Sequence, residues 1–269
     1  CIIFDFLHSF MFQKLYITTL FLSMNISFAQ MSGDGVIKKM SENPIPDDIK
    51  MNFKMTLFSN SKKNKTKKHY RLMEYVEKRY QDGEFKSKLL LRFIEPKEVR
   101  GLSLLNWSRV DQKNDDQWLY IPKLRKVRRI RPSDKSRKFQ GTEFIYADFI
   151  NRDLKLDQYT LLGEDIFKGN PCFLVEVKSI DVSGFGDRIF WIDKKYYLLR
   201  KVQYLNDKKK NIKILEVFDY VKNNQYWTPT KKIMKNLRNG NSTELQVIDI
   251  VYDQGVKDEF FSEKYLRRF

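Results

Sequence analysis

The residues best equipped for chemistry are nine cations within residues 123–138: Lys123, Arg125, Lys126, Arg128, Arg129, Arg131, Lys135, Arg137 and Lys138. That density asks for an anionic partner. Two aromatic segments flank it, Trp118–Pro122 and Gly141–Phe149. Covalent chemistry has little to work with. His69 is the only histidine beyond the first thirty residues, and GxSxG, HExxH, CxxC and P-loop patterns are all missing. Gly184-Phe185-Gly186 reads as a hairpin turn, because no helix follows it as a dinucleotide loop requires. Glu143, Asp148 and Asp187 could move protons, but neither a partner base nor a metal-ligand set accompanies them. A catalytic or metal-binding role is therefore not expected.

The N-terminus decides which anion is reasonable. Met11-Phe12-Gln13-Lys14, an apolar run, and Ser27-Phe28-Ala29 together read as a signal peptide over residues 11–29, with residues 1–10 an upstream artefact. The apolar run is shorter than the roughly 20 residues a membrane span needs. Processing after Ala29 would leave 269 − 29 = 240 residues, read here as one domain, 30–269. Export argues against nucleic acid as a partner and favours anionic head groups or an acidic protein surface for a chain of net charge +17. Cys172 is left without a disulfide partner, and its apolar neighbours predict burial in a strand.

Nearly all of the mature chain alternates with period two. In residues 49–58, Ile49, Met51, Phe53, Met55 and Leu57 share one face, and Lys50, Asn52, Lys54 and Thr56 share the other. Further strands are predicted at 69–80, 87–94, 101–108, 116–122, 153–163, 171–179, 186–193, 196–206, 211–222, 226–237 and 242–253. Turns fall at Ser59–Lys68, Asp82-Gly83, Asn206-Asp207-Lys208 and Asn239-Gly240-Asn241. One short helix, Gly35–Ser41, is capped from Ser32-Gly33-Asp34 and stopped by Asn43-Pro44. The expected class is mainly β (α+β): a large antiparallel sheet with few helices. Residues 131–150 lack strand character and form the natural lid.

The strands carry much of the chain's 21 Phe, 14 Tyr and 4 Trp. One short helix covers few inward side chains, so a cavity follows as a hypothesis, although composition does not exclude a filled core and by itself favours one. Magnitudes separate the two features. Drawing a sixteen-carbon acyl chain out of a bilayer costs on the order of 12 kcal/mol, whereas each basic residue near an anionic surface gains only about 1 kcal/mol. Charge can dock such a protein; only an apolar pocket can hold an extracted lipid.

Trp118-Leu119-Tyr120-Ile121-Pro122, Leu124 and Val127-Arg128-Arg129-Ile130, followed by Gly141-Thr142-Glu143-Phe144-Ile145-Tyr146-Ala147-Asp148-Phe149, carry a resemblance. With Arg100–Leu105, Phe260-Phe261 and Tyr265-Leu266, they make residues 33–268 similar to the LolA-like outer-membrane lipoprotein-sorting family, in its larger branch beside RND-type exporters. Gln140 and Ile145 depart from it, standing where methionine and serine or threonine are commoner. The resemblance implies an incomplete antiparallel β-barrel covered by short helices, an acyl-chain cavity, a location in the periplasm, and neither enzymatic activity nor a cofactor.

The cavity is expected to include Met51, Phe53, Met55, Leu57, Leu89, Leu91, Phe93, Trp118 and Tyr120, the last two sharing a face for which core packing is the alternative. Gly141, Glu143, Phe144, Tyr146 and Asp148 are assigned to the lid. Adjacent Arg128 and Arg129 point to opposite faces on a strand, so one is expected to meet Asp148 or Glu143 inside. The remaining cations form an external surface for an anionic membrane or an exporter. Two other readings stay open: an adaptor with a filled core, and a hydrolase dependent on His69 or Asp148.

Overall fold

The computed structural model describes residues 31–60, 66–110, 115–150, 152–180 and 186–268. The expected leader, and Gly184-Phe185 of the expected 184–186 turn, lie outside these residues. Thirteen strands follow in chain order: β1 (Asp48–Asn60), β2 (Thr66–Arg79), β3 (Phe85–Glu95), β4 (Ser103–Arg109), β5 (Asp116–Ile121), β6 (Lys126–Arg129) and β7 (Asp157–Phe167). The rest are β8 (Asn170–Ser179), β9 (Arg188–Asp193), β10 (Leu199–Leu205), β11 (Asn211–Asn223), β12 (Tyr226–Asn236) and β13 (Ser242–Tyr252). All pair antiparallel in one sheet ordered β6-β5-β4-β3-β2-β1-β13-β12-β11-β10-β9-β8-β7. Each neighbour is the next strand along the chain except where β1 meets β13, and the sheet does not close. A meander of this kind needs only short turns, such as those at Gly83 (φ +90°) and Gly240 (φ +73°), where the sequence signals them.

The alternation in β1 holds. Phe53 faces Met73 of β2 and Val247 of β13, placing Ile49, Met51, Phe53 and Met55 in one buried cluster with Leu89, Leu91, Phe93, Leu104 and Leu119. On the same face, further along the sheet, Phe173, Val175, Val177 and Ile192 pack under α1 (Gly33–Ser41). Ser32 Oγ caps this helix by accepting from Gly35 N at 3.0 Å, and it starts two residues before the expected Gly35. Gly33 permits the docking, because a Cβ there would lie 2.7 Å from the backbone of Tyr159.

The opposite face is also covered. Val76, Leu90 and Leu105 pack there with Phe261 and Leu266 from the C-terminal segment, which holds α2 (Glu263–Leu266). Two strand expectations need correction. The turn expected at Ser59–Lys68 is shorter, since Phe58 pairs with Lys68 and Asn60 with Thr66. Residues 126–129, read only as a basic run, form the edge strand β6 against β5. Edge strands carry such charges readily, because an exposed ladder edge rewards residues that discourage further pairing. Cys172 is buried in β8, where desolvation raises its thiol above the ordinary range.

Candidate functional site: a lid over an apolar hollow

On the face shared with α1, residues 131–150 lie across the sheet without joining it. Gln140 and Gly141 both have positive φ, +47° and +76°, and make the tight turn that reverses the chain between Phe139 and Thr142. Phe139 N donates to Phe144 O at 2.8 Å, and Thr142 N to Phe139 O at 2.9 Å. Phe139, Phe144 and Tyr146 are thereby turned onto the sheet. Phe139 is fully buried, its ring stacked on Phe93 at 5.8 Å and tilted on Phe149 at 4.7 Å. The expected lid is thus a packed element whose apolar side forms part of the core.

Polar bonds hold it at several points. Arg71 Nη1 on β2 donates to Gln140 O at 2.8 Å, and Gln117 Nε2 on β5 donates to Tyr146 O at 3.0 Å. Glu143 is the most engaged residue. Its carboxylate accepts from Lys138 Nζ at 2.6 Å and Asn236 Nδ2 at 2.9 Å, its backbone N donates to Thr243 Oγ1 at 2.9 Å, and its carbonyl accepts from Lys213 Nζ at 2.8 Å.

Beneath the lid is a hollow of about 230 Å³, lined chiefly by Phe53, Met73, Tyr75, Leu89, Leu91, Phe144, Phe149 and Leu245. Of the expected cavity residues, Phe53, Leu89 and Leu91 line it. Met51, Met55, Leu57 and Phe93 belong to the surrounding cluster without lining it. Trp118 and Tyr120 are a correction: they share a face, but it is the opposite one, where Trp118 packs edge-on against Trp107 at 4.8 Å. Strand pairing sets this, since Leu104 opposite Leu119 takes the inner face of β4 and β5. Met73, Tyr75 and Leu245 were missed, although each sits at an inward position of an alternating strand.

Two charged side chains, Asp148 and Lys232, also line the hollow. Lys232 pairs with Leu245 across β12 and β13, and so takes the inner face beside Met234. Burial pushes its ammonium below the ordinary lysine range, opposed by the Asp148 carboxylate, and lowers neighbouring Lys213 in the same way against Asp148 and Glu143. Burial also raises the Asp148 carboxyl, against the field of these lysines and a bond from Ile145 N at 2.7 Å. Folding therefore favours protonated Asp148, and that contribution is present at low pH and lost as pH rises through the folded-state value. Asp148→Asn is expected to melt at a higher temperature than the parent at neutral pH, with the difference closing as pH falls toward about 4. Melting curves across that range check this; a less stable variant at neutral pH would mean the lysines hold the carboxylate charged.

The basic segment does not act as one surface. Arg128 and Arg129 do point to opposite faces, but their carboxylates are Asp134, at 3.1 Å, and Asp116, not Asp148 or Glu143. Arg137 pairs with Asp134 at 3.0 Å, Lys138 holds Glu143, and Lys135 donates to Asp115 O at 3.1 Å. Lys123, Arg125, Lys126 and Arg131 are exposed and have no ion-pair partner among the described residues. His69 is exposed on β2, and Asp187 is ion-paired with Lys209. Among the described residues, no cluster of three or more His, Cys, Asp or Glu could hold a metal ion.

A protein-family model described as "Uncharacterized protein" matches residues 85–268. Among solved structures, a domain from Vibrio parahaemolyticus assigned as an outer membrane lipoprotein-sorting protein superposes with a TM-score of 0.80 at 28% identity, covering 88% of this chain and 98% of that one. The chain belongs to the family of that model, and its solved neighbours are outer membrane lipoprotein-sorting and LolA superfamily proteins. A DUF1329 family protein from Desulfovibrio piger is similar at 25% identity and a TM-score of 0.79, over 87% of this chain and 97% of that one. A LolA superfamily protein from Nitrosomonas europaea shares the fold at 16% identity and a TM-score of 0.68, over 87% and 99% of the two chains. No curated protein matches the chain. This LolA-like chain thus has the open, mainly β architecture expected of it, with the lid on its inner face.

Proposed function

We propose that the protein is a periplasmic carrier that shields the acyl chains of a lipoprotein or related lipid, working with an inner-membrane RND-type exporter. One observation carries the reading: a hollow walled chiefly by aromatic and aliphatic residues lies on the inner face of the sheet and is roofed by a separate segment rather than by a strand. At about 230 Å³ it is smaller than the roughly 300–1,000 Å³ typical of ligand sites. Uptake of a hydrocarbon chain therefore displaces Phe144 and Phe149, whose place on the lid lets them leave without breaking the sheet. The lipoprotein-sorting assignment of the Vibrio protein and the leader expected at 11–29 support a location in the periplasm. Mass spectrometry of lipids extracted by the purified protein tests the proposal, with acylated species as the expected result.

The small volume also favours a second reading, an adaptor that bridges an exporter to another envelope component without holding lipid. It requires that the protein purify free of lipid and take up none from vesicles.

In either reading the unpaired cations of the β5–β6 edge face an anionic partner. Reversing Lys123, Arg125 and Arg131 to glutamate is expected to weaken binding to anionic vesicles by well over tenfold at low ionic strength, at about 1 kcal/mol per charge, and far less at high salt. Vesicle co-sedimentation across a salt series measures this; binding unchanged at low salt would remove the edge from the interface.

A further inference from the structure

Lys232 is anomalous within the hollow it lines. The other walls are chiefly aromatic and aliphatic, and among the described residues its ammonium has neither a hydrogen-bond nor an ion-pair partner. Charged groups in such surroundings are ordinarily paired. The charges facing this region do not balance. Lys213 and Lys232 both act on Asp148, while the Glu143 carboxylate is taken by Lys138 and Asn236. Arg188, which also acts on Asp148, is paired with Asp157 at 2.8 Å. Lys213 also faces Glu143 and is bonded to its carbonyl, so Lys232 is the one of the two ammonium groups left without a bond, and its side chain lines the space beneath the lid.

We propose that this hollow selects amphiphiles whose acyl chain ends in an anionic oxygen group, and that Lys232 receives that group. The inference rests on the carrier reading and narrows it to a ligand class. The chain lies along Phe53, Leu89, Leu91 and Leu245 while its carboxylate or phosphate accepts from the Lys232 ammonium, a charge-assisted bond strengthened by the apolar surroundings. Asp148 competes for the same cation and so sets the strength of the preference. A neutral alcohol of equal chain length gains the apolar contacts alone.

Titration calorimetry of the purified protein with dodecanoate, dodecyl phosphate and dodecanol tests this. Dodecanoate is expected to bind about tenfold or more tightly than dodecanol, as a charged hydrogen bond provides. Lys232→Met should abolish that gap, Lys232→Arg should keep it, and Asp148→Asn should widen it. Arg238→Met, which removes an exposed cation outside the hollow, should change none of these values. Dodecyl phosphate matching dodecanoate would extend the site to any anionic oxygen head group; weaker binding would restrict it to carboxylates. Equal affinity of the parent for dodecanoate and dodecanol, or a preference surviving in folded Lys232→Met, would overturn the inference and leave the carrier reading standing. Failure of all three amphiphiles to bind would overturn both.

Discussion

Phe139→Ala is expected to destabilise the protein by about 3–5 kcal/mol, the usual cost of emptying a buried phenylalanine site. The ring is fully enclosed and touches both partners in the arrangement: Phe93 on the sheet and Tyr146 and Phe149 on the lid. Its removal opens a space between lid and sheet that the backbone of β3 cannot move to fill. The loss should therefore have two readouts, a lower urea midpoint and faster hydrogen exchange at the amides of Phe139–Ala147. A change below about 1 kcal/mol, which surface substitutions commonly give, would show that the lid contributes little to the core.

Glu143→Ala acts on the polar side of the same element. It removes the acceptor of Lys138 and Asn236 while leaving the Thr243 and Lys213 bonds to its backbone. A loss of about 2–3 kcal/mol is expected, since bonds to a charged acceptor contribute about 1.5–3 kcal/mol each and Lys138 regains water. The stronger expectation is its location. Exchange should accelerate in residues 139–147 and not in β1–β3, because local opening draws on the least packed element. Uptake of an acyl chain should quicken with it. Equal lid protection in parent and variant would remove Glu143 as a clamp.

The two substitutions bear on why the lid, but not its contacts, could be read in advance. A twenty-residue interval without alternation between predicted strands is informative, because a sheet protein leaves such a stretch unpaired only where it serves another purpose. Which carboxylate each cation would meet was not readable. Arg128 finds Asp134 and Arg129 finds Asp116 because β6 pairs with β5 in one particular register, and periodicity does not specify register. The same limit explains Trp118 and Tyr120. Alternation correctly put them on one face, but both faces of this sheet are covered by apolar elements, so hydrophobicity no longer distinguishes inside from outside.

Lys232 shows the limit most sharply. In sequence it is the second of two adjacent lysines, Lys231-Lys232, within a chain rich in lysine, and only its spacing of two from Met234 hinted at an inward position. Local pattern alone specified every strand but β6, the capped helix and the unpaired interval, since each depends on neighbours within a few residues. Three features needed the folded chain: the pairing of β1 with β13, the size of the hollow and the unmatched cation inside it. Each depends on residues brought together from more than a hundred positions apart, and such distances leave no trace in short-range periodicity.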